Sequence, residues 1–212
     1  MMNITEQVAH ALLDIGALHF QPNKPITFKS GIVSPVYVDN RRLPFHPIQW
    51  RVVIEGFGQL LDRNRWLCDV IAGVAMAGVP HSAALAFYRQ TPSVFVRKEA
   101  KEHGTGQLIE GGDVQDQVVI LVEDMVTTGG SSLKAVQTLR TAGAIAEHCL
   151  CITTYGFAEK AFQEMGVELH ALVEFSTLVE MAVSRGELTQ EQCSIILDWL
   201  SDAHEWAKKH GF

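Results

Sequence analysis

The sequence predicts an α/β fold in which an open parallel sheet is flanked by helices, with a small flap near the amino terminus. From residue 69 onward, short apolar segments alternate with amphipathic helical segments, which is typical of right-handed βαβ units. The apolar run at 118–122 has the length and β-branched content of a strand buried on both faces. In contrast, Pro22, Pro25 and Pro35 separate short extended pieces near the amino terminus, which indicates a separate antiparallel layer.

Hydrophobic spacing and boundary signals assign the elements in chain order. Thr5 is the expected N-cap of the first helix, which Gly16 ends. The later elements are extended pieces at 17–20, 26–28 and 36–38, helices at 47–61, 79–88, 133–140, 158–165, 177–185 and 189–209, and strands at 69–73, 93–96, 118–122, 145–153 and 169–173. Thr189 and Gln192 are expected to form a capping box for the last helix.

Composition indicates one globular domain. The 212 residues, of which 47% are hydrophobic and 19% charged, suit a single domain over 1–212 with residues 17–45 as its flap. A net charge of −7 argues against a nucleic-acid partner, and no apolar run has the length of a membrane span. The four cysteines lack metal-ligand spacing and the amino terminus lacks the build of a signal peptide, so we expect a cytoplasmic protein.

The segment 118–132 carries the first candidate site. Its apolar run ends in Glu123 and Asp124, after which hydroxyl residues and two glycines lead into a helix. In an open parallel sheet, ligands bind where a strand's carboxyl end meets a helix amino terminus. The backbone N–H groups of 127–132 suit a phosphate, and the paired glycines allow close approach. The acids would repel a phosphate, so we expect them to meet sugar hydroxyls, a hydrated metal ion, or both.

Two common phosphate-binding motifs are excluded for this segment. No lysine follows the glycines, as it would in a Walker A loop, and the dinucleotide fingerprint G-x-G-x-x-G is absent. The remaining alternative is an ordinary strand, turn and helix with an aspartate cap.

A basic loop begins where the strand at 93–96 ends. Arg97, Lys98, Lys101 and His103 fall within seven residues, among glycines and few apolar anchors. Such a loop can act as a lid that neutralises a polyanionic leaving group such as pyrophosphate. The alternatives are a solvated charge run paired with its own glutamates and, for His103, a purely structural contact.

Together these motifs resemble those of the type I phosphoribosyltransferases, and of the orotate phosphoribosyltransferases in particular. V-V-I-L-V-E-D-M-V-T-T-G-G-S resembles the signature for phosphoribosyl pyrophosphate (PRPP), R-K-E-A-K-E-H-G the lid, and K-S-G-I-V-S-P-V-Y the segment that lines the pyrimidine. The resemblance implies the type I phosphoribosyltransferase fold and phosphoribosyl transfer from PRPP to orotate, giving orotidine 5′-monophosphate and pyrophosphate in pyrimidine biosynthesis. Transfer to a different nucleobase, or a PRPP-sensing regulator of the same fold, are the alternatives.

The resemblance also implies roles for individual residues. Catalytic roles fall to Lys101, His103 and Asp124, and orotate binding to Lys29 and Thr127. The residues implied to bind PRPP are Arg97, Lys98, Lys101, His103, Glu123, Asp124, Met125, Val126, Thr127, Thr128, Gly129, Gly130 and Ser131.

A cofactor and a partner subunit are implied as well. Magnesium would be bridged through PRPP near the acidic pair, with no direct protein ligand, and the lid would be shared across a homodimer interface. Some relatives hold orotate with an arginine after the strand at 145–153, but here that segment reads T-Y-G-F. Lys29 and backbone N–H groups are therefore left to bind the orotate carboxylate.

Overall fold

The computed structural model describes residues 2–99 and 107–212. The strands are β1 (Leu18–Phe20), β2 (Ile26–Thr27), β3 (Val33–Ser34), β4 (Val36–Val38), β5 (Val70–Val74), β6 (Ser93–Val96), β7 (Ile109–Glu110), β8 (Val118–Val126), β9 (Ile145–Thr154) and β10 (Glu168–Glu174). The α-helices are α1 (Ile4–Asp14), α2 (Pro47–Asn64), α3 (Gly78–Arg89), α4 (Gly130–Thr141), α5 (Glu159–Glu164), α6 (Phe175–Ser184), α7 (Gln190–Ser201) and α8 (Trp206–Lys209). A 3-10 helix covers Asn40–Phe45.

The central sheet of the described residues has six strands in the spatial order β10-β9-β8-β5-β6-β7. The strands from β10 to β6 are parallel, and β7 pairs antiparallel with β6 at the edge. The chain passes from β5 to β6 on one side and then returns to place β8 on the other side. This reversal creates a topological switch point between β5 and β8, which is where an open α/β sheet binds its ligand. The α/β fold class predicted from the sequence is confirmed.

Side chains alternate along β8 between two hydrophobic cores. Ile120 and Val122 belong to the core shared with α1, α2, α3, α6 and α7, whereas Val119 and Leu121 belong to the core shared with α4 and α5. All four are completely buried, which explains why β8 is a continuous apolar run rather than an alternating one. Within the described ranges, we find no helix with both the length and the apolar character needed to cross a lipid bilayer.

The amino-terminal flap consists of two small antiparallel ribbons instead of one layer. β1 pairs with β4 and β2 pairs with β3, so the strand β3 is one that the sequence analysis missed. Trp199 on α7 donates from Nε1 to the carbonyl oxygen of Val33, at 2.9 Å. Helix α7 therefore holds the flap in place.

Two element boundaries differ from expectation for local reasons. The N-cap of α1 is Asn3 and not Thr5, because Asn3 Oδ1 accepts from the Glu6 N–H at 2.9 Å and the Glu6 carboxylate accepts from the Asn3 N–H at 3.0 Å. Strand β8 continues to Val126 because its pairing with β9 persists as far as Thr154. The acidic pair consequently lies within the strand, not after it.

The predicted helix at 189–209 is two helices in the structure. The capping box of Thr189 and Gln192 is confirmed. The chain then leaves the helix at Asp202, whose side chain accepts from the Glu205 N–H at 3.4 Å, and turns so that Trp206 reaches the core with only 2% of its surface exposed. Burial of the large indole outweighs the gain from continuing the helix.

Candidate active site

A cleft of about 410 Å³ opens at the switch point, between the loop after β5 and the turn from β8 to α4. The predicted site residues that line it are Lys29, Lys98, Glu123, Asp124, Met125, Val126, Thr127, Thr128, Gly129, Gly130 and Ser131. Arg97 is directed elsewhere, with Nη1 at 3.0 Å from Oε1 of Glu110. Lys101 and His103 lie outside the described residues.

The turn between β8 and α4 leaves helix N–H groups available. Gly129 has a φ of +81°, and a Cβ at this position would lie 2.6 Å from Cε2 of Phe162, so the turn requires glycine. Its carbonyl accepts the first helical bond from Leu133 at 2.8 Å. The N–H groups of 130–132 have no intrahelical acceptor, and no described side chain caps α4. They form a site for an anion, which the helix dipole also favours.

The acidic pair lies at the floor of the cleft in an environment that opposes its charge. Glu123 is only 7% exposed, and its Oε1 accepts from the Asp124 N–H at 3.1 Å. Burial raises the pKa of the Glu123 carboxyl well above its usual range, and the charge of Asp124 raises it further. Burial also raises the pKa of Asp124. Hydroxyl donors or a cation in the cleft would favour the ionised carboxylates.

Close packing from two directions positions these acids. A Cβ on Gly78 would lie 2.5 Å from the carbonyl oxygen of Val122 and 3.3 Å from Oε1 of Glu123, so only glycine lets the start of α3 approach β8 here. From the flap side, the buried Asn40 donates from Nδ2 to the Asp124 carbonyl at 2.8 Å and to Oγ1 of Thr153 at 2.9 Å. Asn40 therefore joins the flap to the strand that carries both acids.

Comparison with known proteins identifies the family. The sequence model of the phosphoribosyl transferase domain matches residues 47–173. An orotate phosphoribosyltransferase of Listeria monocytogenes is 38% identical to this chain over 209 residues, a match that covers 98% of this chain and 100% of the relative. The chain belongs to the orotate phosphoribosyltransferase family.

Solved structures of this family share the fold. An orotate phosphoribosyltransferase from Aeropyrum pernix superimposes with a TM-score of 0.73 at 29% identity, over 82% of this chain and 97% of that one. The UMP synthase of Leishmania donovani superimposes with a TM-score of 0.83 at 27% identity, over 94% of this chain and 42% of that one. The resemblance inferred from the three sequence motifs is confirmed.

Three aromatic rings pack together beside the orotate phosphoribosyltransferase cleft, and sequence analysis did not predict this packing. Phe28, which precedes Lys29, lies with its ring centroid 5.4 Å from that of Tyr155 and 6.2 Å from that of Trp199. Tyr155 and Trp199 are themselves edge to face, with centroids 5.4 Å apart. Because these rings come from the flap, the end of β9 and α7, no local sequence signal could have brought them together.

Sequence analysis also missed a cationic side chain beside the cleft. Arg41 lines a neighbouring cavity of about 410 Å³ that shares Lys29 and Lys98 with the first cleft. Its Nε donates to Oδ1 of Asp39 at 3.0 Å, and its guanidinium also bonds the Tyr37 hydroxyl. The alternation of Tyr37, Asp39 and Arg41 just after the pyrimidine-lining motif is the signal that could have found it.

Proposed function

We propose that this orotate phosphoribosyltransferase transfers the phosphoribosyl group of PRPP to N1 of orotate, releasing pyrophosphate and forming orotidine 5′-monophosphate. One observation carries the proposal: the acidic pair, an uncapped helix amino terminus and the cations Lys29, Arg41 and Lys98 all face connected cavities at the switch point. A donor with a phosphate at one end, a sugar in the middle and pyrophosphate at the other end matches that order of charges.

The donor is bound along the turn and the acidic pair. Its 5′-phosphate accepts from the N–H groups of 127–132, with the Thr127, Thr128 and Ser131 hydroxyls as further donors. The ribose hydroxyls donate to Glu123 and Asp124, which restores the ionised state that burial opposes.

A hydrated magnesium ion fits beside the acidic pair. Glu123 is buried and Asp124 is half-buried, and a nearby cation offsets the cost of ionising them. A magnesium ion held there would neutralise charge on the leaving group. In this arrangement Glu123 and Asp124 act through hydroxyl groups or water and not as direct ligands.

The residues of the cleft stabilise the charges that develop as the bond at C1′ breaks, and none of them forms a covalent intermediate. The bond from C1′ to the pyrophosphate oxygen breaks and its electron pair leaves with pyrophosphate, while N1 of orotate gives up its proton to solvent and forms the bond to C1′. Positive charge on the ribose ring during this step is favoured by Glu123 and Asp124. Lys98, together with Lys101 and His103 of the lid, offsets the negative charge of pyrophosphate and excludes water from the activated sugar.

Lys29 and Arg41 bind the orotate carboxylate. Both line the second cavity, and the arginine that some relatives carry after β9 is absent from this chain. Tyr37 and Asp39 fix the Arg41 guanidinium, whose remaining N–H groups can donate to a carboxylate. Thr127, at the start of the turn, contributes the contact to orotate that the family resemblance implies.

Replacing Arg41 with alanine should raise the KM for orotate about 10-fold and leave the KM for PRPP nearly unchanged. This is the lower end of the effect expected for a hydrogen bond to a charged group, because the Arg41 site is exposed. Arg42→Ala is the matched control, because Arg42 donates to the Gly16 carbonyl at 2.7 Å and lies outside both cavities. Initial rates at varied orotate and varied PRPP measure both constants. A rise in the KM for PRPP alone would assign Arg41 to the donor instead.

Absorbance assays with magnesium, PRPP and each nucleobase in turn test the proposed reaction. We expect consumption of orotate and formation of pyrophosphate in equal amounts. Turnover of uracil, adenine or hypoxanthine without turnover of orotate would show that the enzyme acts on a different base. Absence of turnover with every base, combined with tight PRPP binding, would indicate a regulator of the same fold.

The assembly and location proposed for this enzyme follow the family resemblance. We propose a homodimer in which the lid of one subunit closes over the cleft of its partner, and a cytoplasmic location. All four cysteines, which lie in described segments, are free thiols, consistent with a reducing compartment.

A further inference from the structure

A second group of metal-ligating side chains lies far from the cleft along the same sheet. His148 is on β9, and Glu168 and His170 are on the edge strand β10, with Glu168 in register opposite His148. All three lie near the amino ends of their strands, whereas the cleft lies at the carboxyl ends. The proposed transfer reaction does not use them.

The two distances from Glu168 to the histidine nitrogens match those between ligands of a tetrahedral metal site. Oε2 of Glu168 lies 3.5 Å from Nδ1 of His148 and 3.3 Å from Nε2 of His170. The three candidate ligand atoms all lie within 4.8 Å of one another. Zinc with bonds of about 2.0–2.2 Å to such ligands separates neighbouring ligand atoms by about 3.3–3.5 Å in tetrahedral geometry.

The two ring nitrogens are buried but make no hydrogen bond. Nδ1 of His148 and Nε2 of His170 have no hydrogen-bond partner among the described residues, and even the nearby Glu168 oxygen does not meet hydrogen-bond geometry with either. Buried polar atoms nearly always have a partner. A cation between the three side chains would satisfy both nitrogens at once.

The surroundings hold the two imidazole rings in place and attract positive charge. Trp66, just beyond α2, stacks on His148 with centroids 4.3 Å apart and contacts His170 at the same centroid distance. The adjoining cavity of about 660 Å³ is also lined by Glu147 and Glu159, and no lysine or arginine is among its described lining residues. Fixed ligand orientation and negative potential both favour cation binding.

We propose that His148, Glu168 and His170 bind a zinc ion, with water as the fourth ligand. Two imidazoles and one carboxylate suit zinc, whereas magnesium and calcium prefer oxygen ligands throughout. The ion joins edge strand β10 to β9, beside the Trp66 segment that follows α2. It therefore stabilises this edge of the sheet independently of the transfer reaction.

Titration of the metal-free, full-length protein with zinc chloride in a calorimeter tests this site, with cobalt absorption as a report of four-coordinate geometry. We expect one equivalent to bind and to raise the Tm. Glu168→Gln and His170→Gln should each weaken zinc binding about 100-fold or more. Loss of a group that only supports a metal ligand already weakens binding by about 10- to 100-fold. His204→Ala is the matched control, since His204 is exposed and lies on a different part of the chain.

The variants also separate metal binding from a purely structural role of the cluster. The Glu168 side chain is 68% exposed, so Glu168→Gln should fold with an unchanged Tm in the absence of zinc. Absence of binding by the unaltered protein at micromolar zinc would overturn the proposal. Unchanged affinity in Glu168→Gln, or an equal loss in His204→Ala, would do the same, because the ion would then bind elsewhere.

Discussion

Replacing Lys101 with alanine is expected to lower kcat by about 10²- to 10³-fold, the loss typical of one well-placed donor to a developing charge. The KM for PRPP should change little, because the full negative charge that Lys101 offsets appears only as pyrophosphate departs. Lys98, at the start of the same loop, lines the cleft, which supports the loop's role at the leaving group.

Steady-state kinetics with PRPP varied at saturating orotate measures both constants for this variant. Lys160→Ala is the matched control, because Lys160 lies on α5 with its side chain 89% exposed. A rise in the KM for PRPP with kcat preserved would contradict the expectation. The lid would then be a device for binding the donor and not for catalysis.

Asp124→Asn should lower kcat/KM on the order of 100-fold, because the variant loses a charge that favours the positive ribose ring. It should also raise the Tm of the ligand-free protein at neutral pH. Burial raises the pKa of Asp124 in the folded protein, whereas the unfolded chain keeps the ordinary value. The ionised carboxylate therefore costs folding free energy at neutral pH, and an amide at this position removes that cost.

The change in Tm caused by Asp124→Asn should depend on pH. The folded protein retains the Asp124 proton to higher pH than the unfolded chain, so stability falls as pH rises from the ordinary aspartate pKa through the raised one. The Tm advantage of Asp124→Asn should accordingly grow from acid to neutral pH, by about 2–4 °C for each kcal/mol relieved. Glu180→Gln, an exposed acid, should show no such trend. A lower Tm in Asp124→Asn would instead make the acid a structural element.

Hybrids of these two variants test the shared lid. In a hybrid dimer, the Lys101→Ala subunit keeps its Asp124 and receives an intact lid from its partner, so one of the two sites is complete. Half of the dimers are hybrids after random mixing, and activity should recover to about a quarter of the unaltered level. Co-expression followed by an assay of the mixture measures this. Recovery would be absent if each lid served its own subunit.

The cleft was predicted from residue patterns within one short segment of the chain. The apolar run of β8, the acids that follow it and the glycine at the start of α4 are neighbours in sequence, so residue type and spacing predicted a strand, charge and an anion site together. The full length of β8 could not be predicted in this way. Glu123 and Asp124 interrupt the apolar run, and only pairing with β9 carries the strand on to Val126.

The tertiary structure decided the contacts between distant parts of the chain. Trp199 supports the flap through Val33, Arg41 reaches the cavity of Lys29, and the chain bends at Asp202 to bury Trp206. Trp199 and Trp206 carry no local signal for their partners, and for Arg41 the signal is its alternation with Tyr37 and Asp39.

The sequence by itself determined the α/β class, the anion-binding turn and the family motifs, because each is made up of short segments whose residues are neighbours in sequence. Only the folded chain determined which flap side chains face the cleft and that two histidines and a glutamate meet at the edge of the sheet. Such meetings depend on strand register and helix packing, which sum the burial of many residues across the whole domain.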